Sequence, residues 1–298
     1  MSAFALKIPG DEYLHEWENL AGEKGEGLPA HWSPSQIKLF RKCPEQYRQS
    51  YVMGIKTPPG KALLWGRADH TAQEANYVQK IESHEDLTDD AVCDAFRGAV
   101  DVHIDEEGGP SEIDWGQQDA AKAKKEIIDD GVRLASLYHK QIAPAIQPVA
   151  VEEGIQTTLK GIPVPVSMRL DVRIAEAIID SKTTSSSKQK VSMENLLQGR
   201  IYTAALDLPT FFHLKVKPSQ PGGNIKCLHS DQKTGKPFMV SASPKVMAST
   251  LTAVRRTLAE IAWCFSTYGP DNPWPDGLAH EWACGYCGYR DKGLCSYW

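Results

Sequence analysis

Two acidic residues and a lysine stand where a predicted strand ends, and their spacing suits metal-assisted chemistry on a phosphate. The stretch from Met168 to Thr183 predicts two strands joined by a tight turn, and the second strand stays apolar until it reaches Asp180 and Lys182. Residues two apart on a strand point to the same face, and Asp171 on the preceding strand can lie close to Asp180. Neighbouring carboxylates repel each other unless a cation neutralises them, and hard oxygen ligands suit Mg²⁺ or Mn²⁺. The pattern predicts a divalent-metal site in which Lys182 orients the attacking water or stabilises charge growing on a phosphate.

An acidic-x-Lys triplet has little specificity on its own. A second copy, Asp231-Gln232-Lys233, falls in a polar turn with no predicted strand to hold it. Considered in isolation, Asp180 and Lys182 fit a surface ion pair at a strand end as well as they fit a reactive site. The elements and motifs around them decide between these interpretations.

The predicted elements form a helical part, a strand block and a second helical part. Ser33-Pro34-Ser35-Gln36 is a strong helix start, and the helix it opens is predicted to end near Tyr51. Further helices are predicted from near Gly66, at 88–104, 115–143 and 192–206, and from Ser243. Short β-branched runs predict strands at 149–159, 162–174, 177–182, 210–217, 225–230 and 237–242. This order indicates one α/β core with helical insertions.

These elements also suggest how the chain is divided. We predict a loosely held N-terminal lead-in over residues 1–30 and a single domain over 31–298. Within the domain, 31–145 is the mainly helical part, 146–245 the catalytic sheet core, and 246–298 a C-terminal helix with a cysteine cluster.

Four segments carry a family resemblance, and they occur in a fixed order. They are Trp32-Ser33-Pro34-Ser35-Gln36-Ile37 continued by Cys43-Pro44-Glu45-Gln46-Tyr47, then Gly66-Arg67-Ala68-Asp69-His70, then Asp171 with Asp180-Ser181-Lys182, and finally Gln198-Gly199-Arg200-Ile201-Tyr202. In this order they resemble the motifs of the PD-(D/E)xK nuclease superfamily, in particular its RecB-like and AddB-like exonuclease branch. The resemblance implies an α/β fold with a restriction-endonuclease-like core, in which helices flank a mixed central sheet, with a helical insertion and a cysteine-rich C-terminal cap.

The resemblance also implies a role for each matching residue. His70, Asp171 and Asp180 would bind the divalent ion, with the backbone carbonyl of Ser181 as a further ligand. Lys182 would be the catalytic lysine, acting with the two aspartates. Gln198 and Tyr202 lie one helical turn apart on one face and would position the substrate backbone or the lysine. Without the other motifs, His70 would be interpreted as a structural histidine.

Three cysteines lie close together near the C-terminus, at Cys284, Cys287 and Cys295. Such a cluster favours a metal centre over separate thiols. The iron–sulfur branch of the superfamily takes a fourth ligand from the opening helix, where Cys43 stands here. The resemblance therefore implies a [4Fe–4S] cluster held by Cys43 and the three C-terminal cysteines, and a Zn²⁺ ion held by four thiolates is the alternative.

Basic residues near the reactive strand predict contact with a phosphate backbone. Lys188 and Lys190 accompany a Thr/Ser-rich loop, and Arg200 lies in the Gln-x-x-x-Tyr helix. Hydroxyls and cations at such a place can bind phosphates, although a solvated loop explains the same composition. Five more lysines could extend the positive surface: Lys215, Lys217, Lys226, Lys233 and Lys236. We find no recognition motif with interleaved aromatic residues and expect DNA ends or single strands to be bound through the backbone.

The composition fits a globular protein and excludes several other classes. The 298 residues are 41% hydrophobic and 24% charged, which is enough for a sizeable core. A net charge of −5 argues against a surface that coats nucleic acid throughout but allows a local basic groove. No apolar run reaches the roughly 18 residues of a membrane span, and the N-terminus lacks a secretory signal. A cytoplasmic location is therefore expected, where thiols stay reduced.

Two functional hypotheses follow from the sequence. The first is a Mg²⁺- or Mn²⁺-dependent deoxyribonuclease, an exonuclease hydrolysing phosphodiester bonds in DNA recombination, repair or phage-type DNA processing, with a helicase or recombination protein as a candidate partner. The second is a non-catalytic DNA-binding module that keeps the nuclease fold and a structural metal cluster. The presence of both Asp180 and Lys182 favours the first.

Overall fold

A mixed five-stranded sheet lies at the centre of the molecule. The computed structural model describes residues 11–184, 189–275, 284–285 and 287–295. Its strands are β1 (Ala150–Thr157), β2 (Val166–Ile174), β3 (Ala177–Thr184), β4 (Thr210–Val216) and β5 (Lys226–Leu228), hydrogen-bonded in that order. The β3–β4 pair is parallel, and the other three pairs are antiparallel.

Helices precede the sheet, connect its parallel strands and follow it. Before β1 lie α1 (Asp11–His15), α2 (Trp17–Leu20), α3 (Pro34–Lys42), α4 (Pro44–Tyr47), α5 (Lys61–Ser83), α6 (Asp89–Glu106) and α7 (Ala120–Gln141). Helix α8 (Met193–Leu206) connects β3 to β4, as a parallel pair requires, and α9 (Pro244–Tyr268) and α10 (Gly288–Asp291) follow β5. This mixed sheet flanked by helices confirms the predicted restriction-endonuclease-like α/β class.

The two faces of β3 are covered by different sets of helices. Ile178 belongs to a core cluster with residues of α3, α8 and α9, whereas Ile179 packs against Tyr77 of α5 and Tyr138 of α7. Because side chains alternate along a strand, Asp180 follows Ile178 onto the α8 side, and the Ser181 side chain follows Ile179 onto the α5 side. The reactive strand is thus covered on both faces.

The helix predicted from Ser33 to Tyr51 is interrupted at Cys43. Its start is as predicted, since Ser33 Oγ accepts a hydrogen bond from the Gln36 backbone N–H at 3.2 Å and Pro34 occupies the first turn. Cys43 is extended, at φ −162° and ψ 112°, because a residue before proline is pushed out of the helical region. The chain then continues as α4 and a π-helical turn, Arg48–Val52.

Three other sequence expectations need correction. Residues 11–30 are not loosely held, because Leu14, Trp17 and Leu28 are buried in the same core cluster as α9. The strand predicted at 162–174 begins only at Val166. In place of the strand predicted at 237–242, two isolated bridges join Met239 to Phe211 and Pro237 to Ser230.

Among the helices in the described ranges, none is both long and apolar enough to cross a lipid bilayer.

Candidate active site

The end of β3 holds a buried carboxylate against a lysine. Asp180 is fully buried, and its Oδ1 lies 2.8 Å from Lys182 Nζ. Both residues lie on the α8 side of the strand, as their spacing predicted. The acidic-x-Lys triplet is therefore a packed ion pair and not an exposed one at a strand end.

Asp171 on β2 is held beside this strand by a backbone hydrogen bond. The Ser181 N–H donates to Asp171 Oδ2 at 2.7 Å. The regular pairing of β2 with β3 ends at Val172 and Ile179, so β3 continues past the last paired residue with Asp180 and Ser181 beside Asp171. This arrangement brings the two predicted metal-binding carboxylates to one end of the hairpin.

His70 reaches the same place from α5, and Glu152 joins it from β1. His70 Nδ1 lies 3.4 Å from Glu152 Oε1 and 3.7 Å from Asp171 Oδ1. The side chains of these three residues are partly buried, and one potential ligand atom from each lies within 4.8 Å of the other two. Helix α5 thus brings the predicted histidine to Asp171, beside a glutamate of β1 that sequence reasoning did not select.

Gln198 on α8 contacts Asp180, and Tyr202 contacts Gln198. Gln198 Nε2 lies 3.3 Å from Asp180 Oδ2 and 2.6 Å from the Tyr202 hydroxyl, which donates to the Arg169 carbonyl at 3.0 Å. Lys38 of α3 donates to Gln198 Oε1 at 2.8 Å. Because Lys38 occupies the carbonyl end of the amide, the Gln198 amino group is directed at Asp180.

A glycine permits this close packing of α8. A Cβ on Gly199 would lie 2.8 Å from atoms of both Phe212 and Val240, which is closer than nonbonded carbon atoms approach. Gly199 therefore lets α8 pack tightly on β4, and this packing keeps Gln198 within reach of β3.

The site opens into a cleft of about 460 Å³. Its lining includes Ser33 and Ser35 at the start of α3, Arg169, and the side chains of Glu152, Asp171, Gln198 and Tyr202. A substrate in this cleft would face the two partly exposed carboxylates. Asp180 lies behind them.

Electrostatics reflect the close packing of these charges. The charge of Asp171, opposed by burial and aided by the hydrogen bond to Glu152, raises the pKa of His70 to about 9. Burial raises the pKa of Asp180, and the charge of Asp171 adds to this effect while Lys182 opposes it. Burial alone would lower the pKa of Lys182, but the charges of Asp180 and Asp171 outweigh it and the pKa is raised. The site therefore concentrates negative charge that a cation would stabilise.

The donor atoms of this site fit a divalent ion. One imidazole nitrogen and two carboxylates converge within 4.8 Å, and this mixture of oxygen and nitrogen suits Mg²⁺ or Mn²⁺ better than a soft metal. Asp180 lies outside this group of three, with its oxygens directed at Lys182 and Gln198.

A buried polar network lies behind the site on the α5 side of the sheet. Ser181 Oγ donates to Gln73 Oε1 at 3.0 Å, and Gln73 Nε2 donates to Asp69 Oδ2 at 3.3 Å. Asp69 forms an ion pair with Lys215 at 2.8 Å, and both side chains are buried. The prediction that Lys215 extends a positive surface is therefore wrong, because Asp69 neutralises this lysine inside the protein.

Two of the three predicted DNA-binding residues, Lys190 and Arg200, lie in the described part of the chain. Lys188 lies outside the described residues, and Lys190 is exposed beyond β3. Arg200 is partly buried on α8, two residues from both Gln198 and Tyr202. Two residues correspond to a rotation of about 200° around a helix, so Arg200 lies away from the face that meets Asp180.

The four predicted cluster cysteines lie in two segments that contact each other. Gln49, which follows α4, donates to the Leu294 carbonyl at 3.1 Å, and the Tyr289 hydroxyl donates to the Ile55 carbonyl at 2.8 Å. These contacts dock the segment carrying Cys287 and Cys295 beside the one that follows Cys43. Across the described ranges, no three of the cysteine sulfurs lie within 4.8 Å of one another.

Sequence reasoning missed Glu152, Lys38 and the partner of Lys215. Glu152 could have been found by assuming that β1 and β2 form a hairpin, which would place one of two consecutive glutamates on the side of Asp171. The α5 residue that bonds to Ser181 is Gln73, which is not part of the four motifs. No local signal identifies Lys38 or the Asp69–Lys215 pair, because the partners are 160 and 146 positions apart.

A comparison with protein families agrees with this geometry. A family model described as the PD-(D/E)XK nuclease superfamily matches residues 31–292. The chain matches no curated protein. The crystal structure of SSO0001 aligns over 97% of this chain and 94% of its own, at 13% identity and a TM-score of 0.37, which is too weak a likeness to carry a functional argument. Since the family model covers most of the chain, including all the residues gathered at the end of β3, this protein belongs to the PD-(D/E)XK nuclease superfamily.

Proposed function

We propose that this protein is a Mg²⁺- or Mn²⁺-dependent deoxyribonuclease of the RecB-like and AddB-like branch. It acts as an exonuclease on DNA ends or single strands in recombination, repair or phage-type DNA processing, with a helicase or recombination protein as partner. Superfamily membership supports a nuclease with DNA as substrate and a divalent metal as cofactor. The observation that carries the proposal is the gathering of His70, Asp171, Asp180 and Lys182 at one end of β3. Residues 31–298 act as one nuclease domain in this proposal.

The proposed mechanism assigns each group a task. His70 and Asp171, with Asp180 and the Ser181 carbonyl, would hold the ion, which supplies Lewis-acid activation of the phosphodiester. Lys182 would place its ammonium beside the reacting phosphate and stabilise the charge that develops there. Gln198 and Tyr202 would keep Asp180 and the cleft wall in position, and Lys190, with Lys188 and Arg200, would bind the DNA backbone.

The test is digestion of end-labelled single- and double-stranded DNA by the full chain with Mg²⁺, with Mn²⁺, or with a chelator. We expect cleavage with either metal and none with the chelator, and short products released from one end at early times. Internal fragments at early times would contradict exonuclease action but not nuclease activity. DNA binding without cleavage under any metal condition would overturn the nuclease proposal in favour of a non-catalytic DNA-binding module.

We also propose that Cys43, Cys284, Cys287 and Cys295 hold a [4Fe–4S] cluster. The contacts of Gln49 and Tyr289 between the two cysteine-bearing segments support it. A Zn²⁺ ion held by the same four thiolates is the alternative.

Anaerobic purification tests the cluster. We expect a brown protein with about four iron and four sulfide per chain, and loss of colour in Cys43→Ser. Cys93→Ser is the control, because Cys93 is buried in α6, away from both segments, and it should keep the colour. A colourless wild-type protein carrying stoichiometric zinc would contradict the assignment.

A further inference from the structure

Glu152 has an unusual backbone conformation for a strand residue. It lies inside β1 at φ 47°, a left-handed conformation that costs free energy for any residue with a Cβ. Of the other non-glycine residues with positive φ in the described ranges, His84 and Asp207 end helices and Gln189 lies between β3 and α8. Glu152 is thus the member of this set that interrupts a regular element, and it does so at the cleft.

The interruption places Glu152 opposite Asp171. Regular pairing of β1 with β2 runs through Val151 with Val172 and resumes at Glu153 with Leu170, so Glu152 and Asp171 face each other at the unpaired step. Like charges directly opposite on neighbouring strands are destabilising. A strained residue that brings two carboxylates together needs a cationic partner.

In the described part of the chain, the cationic partners of Glu152 lie at long distances. Its Oε1 lies 3.4 Å from His70 Nδ1, and its Oε2 lies 3.7 Å from Arg169 Nε. The Arg169 side chain is 72% exposed, so water screens this pair and it contributes little. By contrast, the neighbouring Glu153 makes two short contacts with Arg173, at 2.7 and 3.0 Å. The carboxylate of Glu152 can therefore still bind a metal ion, whereas that of Glu153 is already bound to Arg173.

Asp180 has the opposite character. It is fully buried, with one oxygen beside Lys182 and the other beside Gln198. Glu152 is partly exposed, lines the cleft, and lies within 4.8 Å of the donor atoms of His70 and Asp171. The carboxylate that extends the ligand set on the open side of the site is that of Glu152.

We infer that Glu152 is a direct ligand of the divalent ion, in addition to the ligands that the four sequence motifs predict. The inference rests on the proposed metal site, which superfamily membership supports independently. A set of one imidazole and carboxylates from β1 and β2 binds Mn²⁺ more tightly than Mg²⁺, because Mg²⁺ prefers oxygen ligands and retains its water. Glu152 thereby links strain in β1 to metal binding in the cleft.

Mn²⁺ titration of the metal-free, full-length protein tests this role without relying on cleavage. The electron paramagnetic resonance signal of free Mn²⁺ is followed for the wild type and for Glu152→Gln. Asp171→Asn serves as the reference, because it removes a ligand that the sequence motifs predict. The matched control is Glu153→Gln, which removes the same charge one position along and disturbs the Arg173 pair instead. We expect Glu152→Gln to bind Mn²⁺ at least about 10- to 100-fold more weakly than the wild type, since even residues that contact a metal only through its ligands have effects of this size. Glu153→Gln should bind Mn²⁺ with an affinity near that of the wild type.

A second measurement guards against misfolding. Mn²⁺ stabilises a protein that binds it in the folded state, so the wild type and Glu153→Gln should melt at higher temperature when Mn²⁺ is added, and Glu152→Gln should shift much less at the same concentration. A Glu152→Gln variant that melts without Mn²⁺ near the wild-type temperature is folded. Equal Mn²⁺ affinity and equal shifts in Glu152→Gln and the wild type would overturn the inference, as would a wild type that binds no Mn²⁺.

The outcome is distinguishable from failure of the proposed nuclease activity. A wild type that binds Mn²⁺ through Glu152 but does not cut DNA would refute the nuclease and leave the ligand assignment standing. A wild type that cuts DNA while Glu152→Gln binds Mn²⁺ normally would refute the ligand assignment alone.

Discussion

Lys182→Ala is expected to reduce metal-dependent DNA cleavage by about 10²- to 10³-fold, the usual cost of removing one group that stabilises transition-state charge. The ammonium lies 2.8 Å from Asp180 Oδ1, close to where a phosphate in the cleft would meet the metal ligands. Its charge also offsets the repulsion between Asp180 and Asp171. Single-turnover rates at saturating Mn²⁺ measure the loss of the chemical step separately from any change in metal affinity.

The second acidic-x-Lys triplet of this chain provides the matched control. Lys233 follows Asp231 at the same spacing, but Asp231 accepts hydrogen bonds from the backbone N–H groups of Lys233 and Thr234 in an exposed turn. At saturating DNA, where a lost contact to the DNA backbone does not limit the rate, Lys233→Ala should therefore cut at the wild-type rate. Equal rates in Lys182→Ala and the wild type, or an equal fall in both variants, would contradict the assigned role.

The contrast between the two triplets explains why the sequence could locate the centre of the site. Asp180 and Lys182 end an apolar segment, and apolar residues flanked by a turn predict a buried strand. Such a strand must be covered on both faces, and α8 and α5 cover it here. The order of the four motifs indicates which helices these are, so the sequence predicts that His70, Gln198 and Tyr202 lie beside this strand.

The register between β1 and β2 could not be predicted from the sequence. A two-residue turn at Lys160-Gly161 would pair Glu152 with Arg169, whereas the observed connection is longer and brings Glu152 opposite Asp171. A shift of two residues preserves the face of each side chain, so alternation alone cannot detect it. The left-handed conformation of Glu152 is likewise invisible in a sequence that offers neither glycine nor asparagine at this position.

Buried polar pairs escaped prediction for a different reason. Lys215 stands in a predicted strand, and an alternating pattern suggests that a lysine faces water. Its partner Asp69 lies on α5 in another part of the chain, and only the packing of α5 on β4 brings them together. From the sequence alone such a lysine is expected to face water, because burying an ammonium without a known partner costs too much free energy.

Lys215→Met is expected to lower the free energy of unfolding by about 3–5 kcal/mol, the range measured when one partner of a buried ion pair is removed. Both oxygens of Asp69 accept hydrogen bonds from the ammonium, at 2.9 and 2.8 Å, and the ammonium also lies 4.0 Å from the centre of the Tyr138 ring. Without the lysine, a buried carboxylate remains with Gln73 as its hydrogen-bond donor among the described residues. Urea denaturation followed by circular dichroism measures the change.

Lys217→Met is the matched control. Lys217 is a nearby lysine whose ammonium lies 4.9 Å from the centre of the Trp65 ring, and it forms no ion pair with a buried carboxylate among the described residues. A cation–π contact at a partly exposed site contributes about 0.5–1 kcal/mol, so this variant should lose no more than that. Similar losses of unfolding free energy in the two variants would mean that the ion pair between Lys215 and Asp69 contributes no more to stability than the cation–π contact of Lys217.

The double variant Asp69→Leu/Lys215→Met separates the cost of an unpaired charge from the contribution of the pair itself. Replacing both members of a buried ion pair by apolar residues is often neutral, so more than half of the stability lost in Lys215→Met should return. Recovery stays incomplete because Gln73, which also bonds to Ser181, loses its acceptor. Additive losses in the double variant would show instead that Asp69 and Lys215 contribute independently, with no coupling energy from their pairing. Because Asp69 precedes His70 in α5, Mn²⁺ affinity of the refolded double variant then reports whether this pair also sets the position of the metal-binding histidine.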